Sequence, residues 1–216
     1  MNLRTHPLRL AARVAASAGV VMITACGTHP PALSADGSGE ADASPSAPHV
    51  TARTEPGHCS GRIGAVSVDG DVTVPDGATC ELIGTRVEGN VSIGHAARLY
   101  VRGVDVDGDI EGERTLVVEV TDKSNVGGNL QLESGGTAQL TDSHVDGDVS
   151  WEGQHGALLI RDSTMRGNLD LQGNTGGVAL SGNAIGGDLS CQDNAPAPRV
   201  GGTSVSGDQE DQCHDL

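Results

Sequence analysis

One phrase constrains this chain more than any other: apolar-x-Gly-(Asp or Asn)-apolar, repeated from residue 68 nearly to the C-terminus. It opens as Val68-Asp69-Gly70-Asp71-Val72 and closes as Val205-Ser206-Gly207-Asp208. Its glycines stand at 70, 89, 108, 128, 147, 167, 187 and 207, so every step is 19 or 20 residues. A fixed step of this size marks stacked units that cannot bury their apolar faces alone.

Within each unit the residues after the glycine alternate, as in Val91/Ile93, Leu130/Leu132 and Leu169/Leu171. That is the two-residue period of a strand. About ten residues later comes a second alternating pair, such as Leu99/Val101, Val118/Val120 or Leu158/Ile160. Two short strands separated by Gly, Asn, Asp and Ser leave no room for a helix. The pattern predicts an all-β fold, a single-stranded parallel β-helix of about eight coils of 19–20 residues. A right hand is expected, because left-handed forms usually follow six-residue repeats and parallel crossovers favour the right.

The residues after the glycines form a column: Asp71, Asn90, Asp109, Asn129, Asp148, Asn168, Asp188 and Asp208. Stacked coils would hold these side chains about 4.8 Å apart. Two carboxylates at that spacing repel by roughly 0.9 kcal/mol even in water. Alternating Asp with Asn separates the charges and lets an amide donate to a neighbouring carboxylate. The column reads as a structural ladder at a coil corner, where Gly followed by Asn or Asp is favoured.

Residues 1–25 read as a leader, with Arg4, Arg9 and Arg13 ahead of an apolar stretch from Val14 to Thr24. The run Ile23-Thr24-Ala25-Cys26-Gly27 resembles the bacterial lipobox. The resemblance implies cleavage before Cys26 and lipid attachment there, which would anchor the exported protein to the outer face of the cell membrane. Residues 26–57, rich in Pro, Ser, Ala and Gly, lack apolar periodicity and read as a disordered tether. Residues 58–216 form the repeat domain. Its scarcity of aromatics, Tyr100 and Trp151 with no Phe, suits a narrow tube filled by Val, Leu and Ile.

Cys59 and Cys80 are 21 residues apart, and Cys191 and Cys213 are 22 apart, in each case about one coil. Four cysteines allow three pairings. Only Cys59–Cys80 with Cys191–Cys213 joins neighbouring coils, and it staples both ends of the stack. A zinc site is the poorer reading, since Cys-x-x-Cys is absent and an exported chain meets an oxidising compartment.

The chain has 13 basic and 29 acidic residues, and the leader takes three arginines with it, leaving −19 (10 − 29). So acidic a body excludes nucleic acid and anionic lipid as partners, since both need basic patches. Acids flank the key glycines, at Asp69, Glu88, Asp107 and Asp146 before and Asp71, Asp109 and Asp148 after. Such a strip reads as a solvated face, with cation binding or self-association as an alternative. A carbohydrate-active lyase or hydrolase is the other alternative. It would need paired carboxylates in a walled groove, whereas these acids are spread by the repeat. His144, His155, Arg161 and Asp162 break the repeat without forming a catalytic pattern. No catalytic residue, cofactor or metal is expected.

Over 59–216 the chain resembles a group of exported β-helix proteins of bacteria. The likeness lies in Cys59-Ser60-Gly61-Arg62-Ile63-Gly64-Ala65-Val66, in Val74-Pro75-Asp76-Gly77-Ala78-Thr79-Cys80, in Leu189-Ser190-Cys191-Gln192-Asp193-Asn194 and in Gly207-Asp208-Gln209-Glu210-Asp211-Gln212-Cys213. More distantly it is similar to bactofilins and to pectate-lyase-like solenoids. The first group implies no activity. The reading is a non-catalytic, membrane-tethered lipoprotein with a structural or adhesive role, its partner a cell-wall glycan or an envelope protein.

Overall fold

Among the described residues, twenty-four strands, all paired in parallel, wind through three eight-stranded sheets. The computed structural model describes residues 57–214. The leader, Cys26 and all but the last residue of the tether lie outside the described residues. Each turn adds one strand to sheet I, one to sheet II and one to sheet III, and the next turn stacks 19 or 20 residues on. The result is a parallel β-solenoid of about eight turns.

Sheet I runs from Gly61–Ile63 through Arg98–Arg102 and Leu158–Arg161 to Arg199–Gly201. Sheet III runs from Val72–Val74 through Leu130–Glu133 to Gln209–Asp211. These carry the two alternating pairs read from the sequence. Sheet II is additional: two-residue strands such as Arg86–Val87, Asn125–Val126 and Ala184–Ile185. Two strands per coil are therefore corrected to three. The third consists of the apolar residue before each key glycine and its predecessor, too short for alternation to reveal.

The register aligns like with like. In sheet III, Leu130 pairs with Val149, and Leu132 with Trp151, which pairs in turn with Leu171. In sheet I, Leu99 pairs with Val118 and Val101 with Val120. These side chains point inward and are buried, as are Val87, Val106, Val126, Val145, Met165 and Ile185 from sheet II. Fully burying such a side chain contributes about 1.5–3 kcal/mol, so each turn is held by the apolar rows it shares with its neighbours. Trp151, fully buried, fills a place in that core.

Both ends are closed by disulfides, Cys59–Cys80 and Cys191–Cys213, with Cα atoms 5.5 and 5.4 Å apart. All four cysteines are buried. At the first turn Cys59 N–H donates to Thr73 O, and Thr73 N–H donates to Gly57 O, covering the outer edge of sheet III.

Candidate functional site

The three corners of each turn determine what the faces can present. At the corner from sheet II to sheet III, backbone N–H groups donate to Oδ1 of the ladder residue one turn earlier. Asn90 N–H donates to Asp71 at 2.7 Å, Asp109 to Asn90 at 2.9 Å and Asn129 to Asp109 at 2.6 Å. Asp148, Asn168, Asp188 and Asp208 continue the series at 2.7–2.9 Å. Asp and Asn serve equally here, because each offers Oδ1. A side-chain amide donates to the neighbouring carboxylate at one step, Asn90 Nδ2 to Asp71 at 3.2 Å. The backbone does the work assigned to amides from the sequence, and Asp/Asn alternation, which breaks only at Asp188/Asp208, spaces the charges.

The key glycine follows from the same contact. A Cβ on Gly89, Gly108, Gly128, Gly147, Gly167, Gly187 or Gly207 would lie 2.1–2.3 Å from Oδ1 of the preceding ladder residue. Gly70, in the first turn, has nothing within 4 Å. The glycine is required by a neighbour, and where that neighbour is missing the crowding vanishes.

The other two corners turn through left-handed residues and carry polar columns that sequence reasoning missed. Between sheets I and II, Thr85, Ser124, Ser143, Ser163 and Asn183 are buried. Ser124, Ser143 and Ser163 Oγ donate to backbone carbonyls at 2.6–2.9 Å. Between sheets III and I, Gln154, Asn174 and Asn194 are buried. Asn174 Nδ2 donates to Trp151 O and Asn194 Nδ2 to Leu171 O, while Gln154 N–H donates to Asn174 Oδ1. Such groups must find partners when removed from water. Their recurrence every 19 or 20 residues was the available signal.

Outside, the faces differ in charge. Sheet III presents Glu111, Glu113, Glu133, Glu152, Asp170 and Glu210, all exposed. A shallow cleft of about 360 Å³ opens there beside Gly112. The carboxyl of Asp170 is pushed above its ordinary 3.8, first by desolvation and then by repulsion from Asp148 and Asp188. On sheet II the acids are partly neutralised: Arg86 bridges Asp105 and Asp107, and Arg166 meets Asp146 at 2.6 Å. Exposed pairs of this kind contribute little stability. Among the described residues no group of three or more His, Cys, Asp or Glu side chains is placed to hold a metal ion.

The residues that interrupt the repeat engage separate partners. His144 Nε2 lies 2.9 Å from Asp146, His155 Nδ1 lies 3.2 Å from Thr175 Oγ1, and Arg161 Nε lies 3.3 Å from Asp162. His144 and Asp162 line one shallow hollow with Lys123, Asp142 and Thr164. The chain matches no family model, no curated protein and no solved structure.

Proposed function

We propose that the protein is a lipid-anchored, non-catalytic module of the cell envelope that presents the faces of a stapled β-solenoid for binding. The observation that carries this reading is the pair of disulfides joining stacked cysteines at the two ends. Structural disulfides belong to oxidising compartments, which agrees with the leader and with a lipobox-like Ile23-Thr24-Ala25-Cys26. Lipid on Cys26 would hold the body at the outer membrane face, and the Pro-, Ser- and Gly-rich segment after it would set the standoff.

An open face of eight stacked strands suits recognition of an extended partner better than enclosure of a small one. The hydrogen-bonded corners hold it rigid, which lowers the ordering cost of binding. The test is direct. Mass spectrometry of protein from the native membrane should find an acylated N-terminal Cys26, and Cys26→Ala should move the protein out of the membrane fraction. Unmodified Cys26 in membrane-bound protein would refute the anchor.

A further inference from the structure

We infer that Asp69–Gly70 in the first turn is a modification site, where the backbone nitrogen of Gly70 attacks the Asp69 side chain and converts it to isoaspartate. An aspartate followed by glycine is the pair most open to this reaction, because glycine has no side chain to shield its nitrogen. The repeat domain holds four such pairs: Asp69–Gly70, Asp76–Gly77, Asp107–Gly108 and Asp146–Gly147. The fold locks three of them and leaves the first free.

The lock has two parts, the amide that must attack and the carboxyl that must be attacked. Gly77 N–H donates to His95 O at 2.8 Å, Gly108 N–H to Gly89 O at 3.1 Å and Gly147 N–H to Gly128 O at 3.0 Å. The carboxylates beside them are held as well. Asp76 Oδ1 accepts His95 N–H at 2.8 Å. Asp107 takes Arg86 Nη2 on both oxygens, at 2.9 and 2.7 Å. Asp146 Oδ1 meets His144 Nε2 at 2.9 Å and Arg166 Nη1 at 2.6 Å. Among the described residues, Gly70 N–H has no acceptor and the Asp69 carboxyl makes no hydrogen bond or ion pair. Both residues are exposed, and a Cβ built on Gly70 would find nothing within 4 Å. The topology supplies the reason. Gly108 and Gly147 donate to the turn before their own, and the first turn of a stack has no such neighbour to receive Gly70.

The reaction needs no cofactor and no oxidant. The Gly70 nitrogen bonds to Asp69 Cγ and gives up its proton, and the carboxyl hydroxyl leaves with that proton as water, closing a succinimide ring. Water then adds to one of the two ring carbonyls. Addition at Cγ breaks the new bond and restores aspartate. Addition at the main-chain carbonyl of Asp69 breaks the original peptide bond, so the chain runs on through Cβ and Cγ and a carboxylate is left on Cα. Charge is unchanged and the backbone is one methylene longer. A hydrogen-bonded glycine N–H resists the rotation that brings its nitrogen to Cγ. An arginine on the carboxylate favours the ionised form, which is the poorer electrophile. Since neither free group at Asp69–Gly70 serves the ladder, no hydrogen bond among the described residues is lost when Asp69 isomerises.

The experiment ages the oxidised full-length protein at neutral pH and physiological temperature, folded and in urea, then maps isoaspartate by peptide mass spectrometry with electron-transfer fragmentation. Asp36–Gly37 lies outside the described residues and is scored apart. The locked pairs react only when the fold opens locally, so isoaspartate at Asp69 should exceed that at Asp76, Asp107 or Asp146 by about tenfold or more in the folded protein. In urea the four should converge. Asp69→Asn, which forms the same succinimide with loss of ammonia, should deamidate in the folded protein faster than Asp146→Asn by a similar factor, and supplies a second readout by mass. Three results would overturn the inference: no isoaspartate at Asp69 in the folded protein, equal levels at the four pairs, or the same preference for Asp69 in urea, which would trace it to local sequence. None of them bears on the acylation of Cys26, so the anchor stands or falls on its own measurement.

Discussion

The ladder corner makes a sharp prediction about a glycine that no backbone dihedral requires. A Cβ at Gly147 would meet Asn129 Oδ1 at 2.3 Å and the carbonyl oxygen and carbon of Gly128 at 2.7 and 2.8 Å. Gly147 is not among the residues with positive φ, so alanine there is opposed by space alone. Two of the three obstructing atoms belong to backbone and cannot rotate away. Separating the turns enough to admit the methyl also weakens the bond from Asp148 N–H to Asn129 Oδ1, 2.8 Å long. Overpacking costs about 1–3 kcal/mol, and the weakened bond about 0.5–1.5 kcal/mol. Replacing glycine restricts the unfolded chain and returns about 0.4–1 kcal/mol. Gly147→Ala should therefore destabilise by about 0.5–4 kcal/mol.

The control is Gly64→Ala. Gly64 has nothing within 4 Å of a built Cβ and no positive φ, so only the unfolded-chain effect remains and stability should hold or rise slightly. Urea unfolding of the oxidised full-length protein, followed by circular dichroism, compares the two. A double variant separates the obstacles. Asn129→Ala removes the atom at 2.3 Å and leaves the backbone, so Gly147→Ala should cost less on that background than on the parent. Equal stability of Gly147→Ala and Gly64→Ala would refute the crowding account.

Three further outcomes follow from the same geometry. Asn129→Asp would place a carboxylate one turn from both Asp109 and Asp148, adding about 0.9 kcal/mol of repulsion per neighbour in water; unfolding midpoints should fall at low ionic strength and recover in about 1 M salt. Asp170, with its carboxyl raised above 3.8 in the folded state, binds its proton more tightly folded than unfolded. Its ionisation therefore opposes folding: the parent and Asp170→Asn should match in stability below 3.8, and the variant should gain as pH rises through the folded value, as read from paired unfolding curves. Opening Cys191–Cys213 by replacing both cysteines with alanine releases a closed loop of about 20 residues, worth roughly 3 kcal/mol; hydrogen exchange should accelerate first in the last turn, and uniform acceleration would show that the staple is not local.

The residues that betrayed the fold are those whose environment repeats. Val91, Ile110, Leu130 and Val149 succeed one another on one inward row, and Gly with Asp or Asn recurs because each turn meets the same neighbour. Sheet II was hidden because a two-residue strand such as His144–Val145 contributes only one inward side chain. Alternation needs at least two. The buried columns were hidden because Ser143, Ser163 and Asn183 are ordinary turn residues in sequence. Only the fold turns them inward, where their donors must reach carbonyls such as Ile160 O.

Outward positions obey no such rule. Along the outer row of sheet I the residues are Arg62, Glu81, Tyr100, Glu119, Gln139, Leu159, Ala179 and Arg199. No stacking requirement produces that order. The backbone hydrogen bonds and the inward rows already hold each turn, so exchange of an outer residue leaves the ladder intact. An aromatic at one rung, between Glu81 and Glu119 on the neighbouring strands, is therefore not part of the repeat that builds the solenoid. In a repeat protein the period encodes the scaffold, and departures from it on an outer face are where a partner's chemistry can be written. Tyr100 is such a departure, and Tyr100→Ala should leave the fold standing.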